Sequence, residues 1–98
     1  MKKTKISLYI GSDNATNKIS TEYLNRCSEI LNLWFFAYTI NQNIGLWRGK
    51  KEDSLKIEIF TESEKDINKL YGICEELKQE LKQESVLYTK EEINYIIK

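Results

Sequence analysis

Ile6, Leu8 and Ile10 alternate with Ser7 and Tyr9 and stop at Gly11, the period of a strand with one buried side. After the polar stretch GSDNATN, Ser20 is placed to cap a helix whose Tyr23, Leu24, Cys27, Ile30 and Leu31 recur at three- and four-residue steps. From Leu33 to Trp47 the chain is aromatic and β-branched, with Phe36, Tyr38 and Ile40 alternating against Phe35, Ala37 and Thr39, which predicts a second strand. The polar NQN at 41–43 and Gly45 predict a bulge or bend within it. RGKKED at 48–53 predicts a hairpin turn, after which Leu55, Ile57 and Ile59 form the buried side of a third strand and Lys56, Glu58 and Phe60 its other side.

Thr61 to Glu64 fits a capping box, and Ile67, Leu70, Tyr71, Cys74, Leu77 and Leu81 make the apolar stripe of a second helix. SVLY at 85–88 predicts a short fourth strand, followed by a small helix capped by Thr89 with Glu92, or by an extended tail. The order strand, helix, strand, strand, helix, strand is that of two split crossover units. Right-handed crossovers then give a single ferredoxin-like α+β domain over residues 1–98, a four-stranded antiparallel sheet with both helices on one face. Its uncovered face carries Ser7, Tyr9, Thr39, Lys56, Glu58, Phe60 and Leu87.

Charge changes this picture little: Lys+Arg and Asp+Glu are 15 each, so no net field draws in nucleic acid or an anionic membrane. The chain has no histidine, which excludes His-based acid–base chemistry, Ser-His and Cys-His nucleophiles and most zinc sites. Its two cysteines, Cys27 and Cys74, fall on apolar helical positions and read as free, buried thiols. With no apolar run of membrane-spanning length and no signal-peptide pattern, a cytoplasmic protein is expected. No glycine-rich phosphate loop, metal-spaced cysteine cluster or nucleophile elbow is present, so the expectation is a protein that is not an enzyme and uses no cofactor or metal.

Tyr9 occupies the position at which an RNA-recognition domain stacks a base, but SLKIEIF lacks the basic-Gly-aromatic pattern of that domain's third strand and adds Glu58, which repels a phosphate backbone. RNA binding therefore ranks below burial of Tyr9, Phe60 and Leu87 against a second subunit or a protein partner.

Four short elements carry a resemblance: LYIG ending the first strand, GLWRG ending the second, EDSLKIEI opening the third and QESVL opening the fourth. In order and spacing, over about residues 8 to 88, they are similar to an uncharacterised family of small bacterial and phage proteins, a domain of unknown function. The resemblance implies no activity; it implies a phage or bacterial setting, which the Lys-, Asn- and Ile-rich composition also fits.

Two clusters are candidate ligand sites. Gly45 and Gly49 flank Trp47 and Arg48, which either anchor a hairpin end or stack on and pair with a nucleotide-type ligand. Ser12, Asp13 and Asn14 should lie near Gln83, Glu84 and Ser85, a polar group with two carboxylates that either closes turns or binds a ligand. The hairpin is expected at the opposite end of the sheet from this second cluster, giving two sites. The resulting expectation is a homo-oligomeric binding protein that sequesters a small nucleotide-type ligand, with Tyr9, Trp47, Arg48, Ser12, Asp13, Glu84 and Ser85 as contacts, or inhibits a host defence protein. A protein-interaction adaptor using the open face is the alternative.

Overall fold

The structure, a computed structural model, describes residues 2–97, with Lys2 and Trp47 described in their backbone only. Its elements are β1 (Lys2–Gly11), α1 (Thr21–Trp34), β2 (Thr39–Trp47), β3 (Lys50–Thr61), α2 (Glu64–Asn68), α3 (Leu70–Glu80) and β4 (Leu87–Asn94). The strands form one antiparallel sheet in the order β2-β3-β1-β4, the ferredoxin-like arrangement expected from the element order. Ile6, Leu8 and Ile10 of β1 and Leu55, Ile57 and Ile59 of β3 are buried beneath Tyr23, Cys27, Ile30 and Leu31 of α1 and Leu70, Ile73 and Leu77 of α3. At roughly 1.5–3 kcal/mol for each such side chain removed from water, this layer is the main stabilising element of the fold.

Ser20 caps α1, its hydroxyl accepting from the Tyr23 N–H at 3.1 Å. The helix runs to Trp34, and the Phe35 N–H still donates to the Leu31 carbonyl at 2.8 Å, so the strand expected from Leu33 begins only at Thr39. The helical period wins because Leu31 and Phe35, four apart, both reach the core, whereas Phe36 is fully exposed. Ser63 caps α2 and accepts from the Lys65 N–H at 3.2 Å, while the Thr61 hydroxyl donates to Asp66 at 2.6 Å in place of the expected Thr61–Glu64 box. In α3 the buried stripe is Leu70, Ile73 and Leu77; Tyr71, expected in it, faces solvent.

The strand pairings also correct the expected turns. β2 pairs with β3 without interruption from Thr39↔Glu58 to Trp47↔Lys50, so there is no bulge at 41–43. Arg48 and Gly49 alone make the turn, with φ of 49° and 77°, the pair of positive values that a two-residue hairpin loop needs. β4 runs from Leu87 to Asn94 as an edge strand, longer than the expected 85–88 strand followed by a small helix or an extended tail.

Candidate functional site

Strand direction decides what meets what. β1 and β2 both run antiparallel to β3, so their carboxyl ends lie at the same end of the sheet, and β4 starts there too, with Leu87 opposite Tyr9. The 48–49 hairpin, the loop after β1 and the turn before β4 therefore share one end, and the expectation of two sites at opposite ends is corrected. The contact that shows it is the Ser12 hydroxyl, which donates to Glu52 Oε1 at 3.1 Å.

Ser12 is fully buried, just beyond the last β1–β3 pair, Gly11↔Ser54. The two carbonyls at this strand end are each held by a side chain: the Tyr23 hydroxyl donates to Gly11 O at 2.6 Å, and Gln83 Nε2 donates to Ser12 O at 2.8 Å. Gln83 Nε2 also donates to the Tyr23 hydroxyl at 3.1 Å. Asp13 closes its own turn, Oδ1 accepting from the Ala15 N–H at 2.8 Å, and Asn14 Nδ2 reaches the Lys82 carbonyl at 2.9 Å. Burial, with the nearby Cys27 and Asp13 adding to it, pushes the Tyr23 phenol up to about 12, against the opposing bond from Gln83, so the hydroxyl stays a donor through the physiological range. Cys27, beside it on α1, is pushed up to about 12 by burial and is an inert thiol.

A cavity of about 450 Å³ opens between the loop after β1, the first turns of α1 and the end of α3, lined by Asp13, Asn14, Tyr23, Arg26, Leu81 and Lys82. A smaller one of about 170 Å³, lined by Asn17, Lys50, Lys51 and Glu52, lies on the other side of the same loop. The first is within the size range of small-ligand sites. Arg26 donates to the Glu80 carbonyl and lies 3.9 Å from that residue's carboxylate.

Of the residues expected at a site, Ser12 and Asp13 belong to this end, and Arg48 stands at the tip of the hairpin above it. The side chain of Trp47 is outside the described residues. Glu84 and Ser85 are exposed on the turn, and the contacts to the Ser12 loop come from Lys82 and Gln83 instead. Tyr9 lies on the open face, 5.7 Å beneath the Lys56 ammonium, with Phe60 and Leu87 exposed on that same face. Tyr23, apolar by its helical spacing, and Glu52 join this end without being singled out by the sequence pattern. The signal for Glu52 was present in the Glu-Asp-Ser opening of EDSLKIEI.

No family model and no curated protein matches the sequence, and the likeness found is to solved structures. A phage SAM lyase in its apo state superposes with a TM-score of 0.70 at 20% identity, over 93% of this chain and 81% of that one. A phage SAM lyase in complex with S-methyl-5′-thioadenosine gives 0.59 at 16% identity, over 95% and 90%. CPII, a nitrogen regulatory PII-like protein from Thiomonas intermedia K12 bound to ADP, AMP and bicarbonate, gives 0.55 at 13% identity, over 99% and 98%. At these identities the likeness shows the fold. It also corrects the expectation of a protein without catalytic activity, since the same fold, superposed over nearly the whole chain, is that of an enzyme. Among the described residues no helix is long and apolar enough to cross a membrane.

Proposed function

We propose that this protein is an S-adenosylmethionine lyase of the phage type, acting on its substrate at the sheet end where Ser12, Glu52, Tyr23 and Gln83 meet. The observation that carries the reading is the Glu52 carboxylate, which accepts from the buried Ser12 hydroxyl and lines the smaller cavity of about 170 Å³ with Lys50 and Lys51, in a chain of this fold. The neighbours that hold ligands support it, because S-methyl-5′-thioadenosine, ADP and AMP all carry an adenine nucleoside. The resemblance of GLWRG, EDSLKIEI and QESVL to a bacterial and phage family is consistent with the same setting.

The chemistry suits a chain without histidine. Cleavage of S-adenosylmethionine to S-methyl-5′-thioadenosine breaks the bond between the sulfonium and the aminobutyryl chain, and sulfur takes the electron pair. The aminobutyryl carboxylate is itself a nucleophile for the carbon released, closing a lactone with no other reactant and no protein base. What the protein has to supply is a fixed geometry and a negative charge facing the sulfonium. Glu52, whose orientation is set by Ser12, is that charge; Lys50 and Lys51, which line the same cavity as Glu52, suit the substrate's carboxylate.

Incubation with S-adenosylmethionine and detection of S-methyl-5′-thioadenosine by liquid chromatography and mass spectrometry tests the proposal. Wild-type protein should release it, and Glu52→Gln should lower the rate on the order of a hundredfold with the fold intact. A thermal shift with adenine nucleosides but no turnover would reduce the reading to nucleoside binding. Neither a shift nor product would overturn it.

A further inference from the structure

We infer that Gln83 is a positioning residue of this site: its carboxamide fixes the peptide that carries Ser12, and Ser12 fixes the Glu52 carboxylate. The inference rests on the reading of Glu52 as the charge that faces the substrate. The β1–β3 ladder ends at Gly11↔Ser54, so Ser12 stands just past the backbone pairing that would otherwise orient it. A buried carbonyl in that place needs a donor from elsewhere. Gln83 Nε2 supplies it at 2.8 Å, and the Tyr23 hydroxyl does the same for the preceding carbonyl at 2.6 Å. With its main chain pinned on both sides, Ser12 has its hydroxyl aimed at Glu52 Oε1, 3.1 Å away.

Gln83 is itself held. Its N–H donates to the Lys78 carbonyl at 2.9 Å, and Lys82 before it takes a left-handed φ of 53° that turns the chain out of α3. Gly11 leaves the room it needs: a Cβ there would lie 2.9 Å from Gln83 Oε1. Gly11, Glu52 and Gln83 come from three of the elements in the family resemblance, and the relay through Ser12, the residue after the first of them, gives them one physical reason to occur together: bare backbone, hydroxyl, carboxylate and carboxamide interlock.

The test compares wild type with Ser12→Ala, Gln83→Leu, Gln83→Glu and, as a control for general loosening, Ile59→Val at the far part of β3. Two quantities are measured: the carbon chemical shift of the Glu52 carboxylate at pH 7, and kcat and KM for S-methyl-5′-thioadenosine release. Ser12→Ala removes the hydrogen bond to the Glu52 carboxylate and should shift that signal. Gln83→Leu should move it the same way, and Gln83→Glu, which when ionised cannot donate to Ser12 O, provides the same readout if the leucine variant does not fold. Both Gln83 variants should lower kcat tenfold or more with KM changed less than threefold, and Ile59→Val should change neither quantity. A Glu52 carboxylate signal that moves in Ser12→Ala and stays put in the Gln83 variants would overturn the relay. So would an equal movement in Ile59→Val. Wild-type protein that releases no product would sink the lyase reading alone, because the carboxylate signals still decide the role of Gln83.

Discussion

The end of the sheet and its open face carry similar side chains and treat them differently. At the end, Ser12, Tyr23 and Gln83 are wholly or mostly withdrawn from solvent, and the side-chain bonds that tie this end together join residues 12 to 71 positions apart. On the open face, Lys5 and Lys56 flank Glu58 at 3.7 and 3.5 Å, and Lys5 also approaches Glu91 at 3.7 Å, among groups that stay partly in water. Bonds of the first kind hold geometry because breaking one strands a buried polar group; pairs of the second kind are screened and exchange with water. The difference teaches that a cluster of charges on a sheet face is weak evidence for a site, whereas a carboxylate bonded to a buried hydroxyl is stronger evidence.

Removing the layer beneath both regions should have the largest effect. Leu8→Ala in β1, fully buried, should cost roughly 2–5 kcal/mol in urea unfolding, while replacement of its neighbour Tyr9 on the open face should cost much less. Next comes Tyr23→Phe, which deletes the donor to Gly11 O and one partner of Gln83; about 1–3 kcal/mol is expected by the same measurement. Glu58→Gln should cost less than about 1 kcal/mol, and the loss should shrink in high salt. A Glu58 variant as damaging as Tyr23→Phe would break the comparison.

The pH dependence sharpens it further. Cys27 and Tyr23 both ionise later when folded, moving from 9.0 and 10.0 to about 12 each. A raised value for an acid means that the folded state favours the neutral form, so this stabilisation is complete below about pH 9 and is lost as pH rises toward 12. Thermal melts should therefore hold steady from neutrality to about pH 9 and fall beyond it, and Tyr23→Phe should flatten part of that fall. Cys27 should resist a thiol reagent at pH 8 in the native protein and react once urea is added.

How much was legible in the sequence depended on how many periods a stretch could satisfy. Ile6-Leu8-Ile10 and Leu55-Ile57-Ile59 fit only a strand, and both were read correctly. Residues 33–38 are almost continuously apolar and fit helix or strand alike; the choice fell to whether Phe35 could reach the core from the helix, which it does. In the second helix Tyr71 and Ile73 are both apolar, and packing against α1 selected the second. The expected fold puts Gln83 near Ser12, but its neighbours Glu84 and Ser85 stand out first in the sequence because carboxylates and hydroxyls carry chemistry more often than carboxamides.

The amphipathic pattern by itself determined the order of elements, the ferredoxin-like topology, the cap at Ser20 and the two sides of the sheet, because each rests on interactions a few residues apart or on alternation. Only the tertiary structure decided that the hairpin, the loop after β1 and the turn before β4 share one end. That follows from strand directions and from an unbroken β2–β3 register that carries Glu52 past the end of β1 to meet Ser12, 40 residues away in the chain. Local sequence sets which side of a strand faces the core; it does not set how far two strands overhang a third, and here the overhang makes the site.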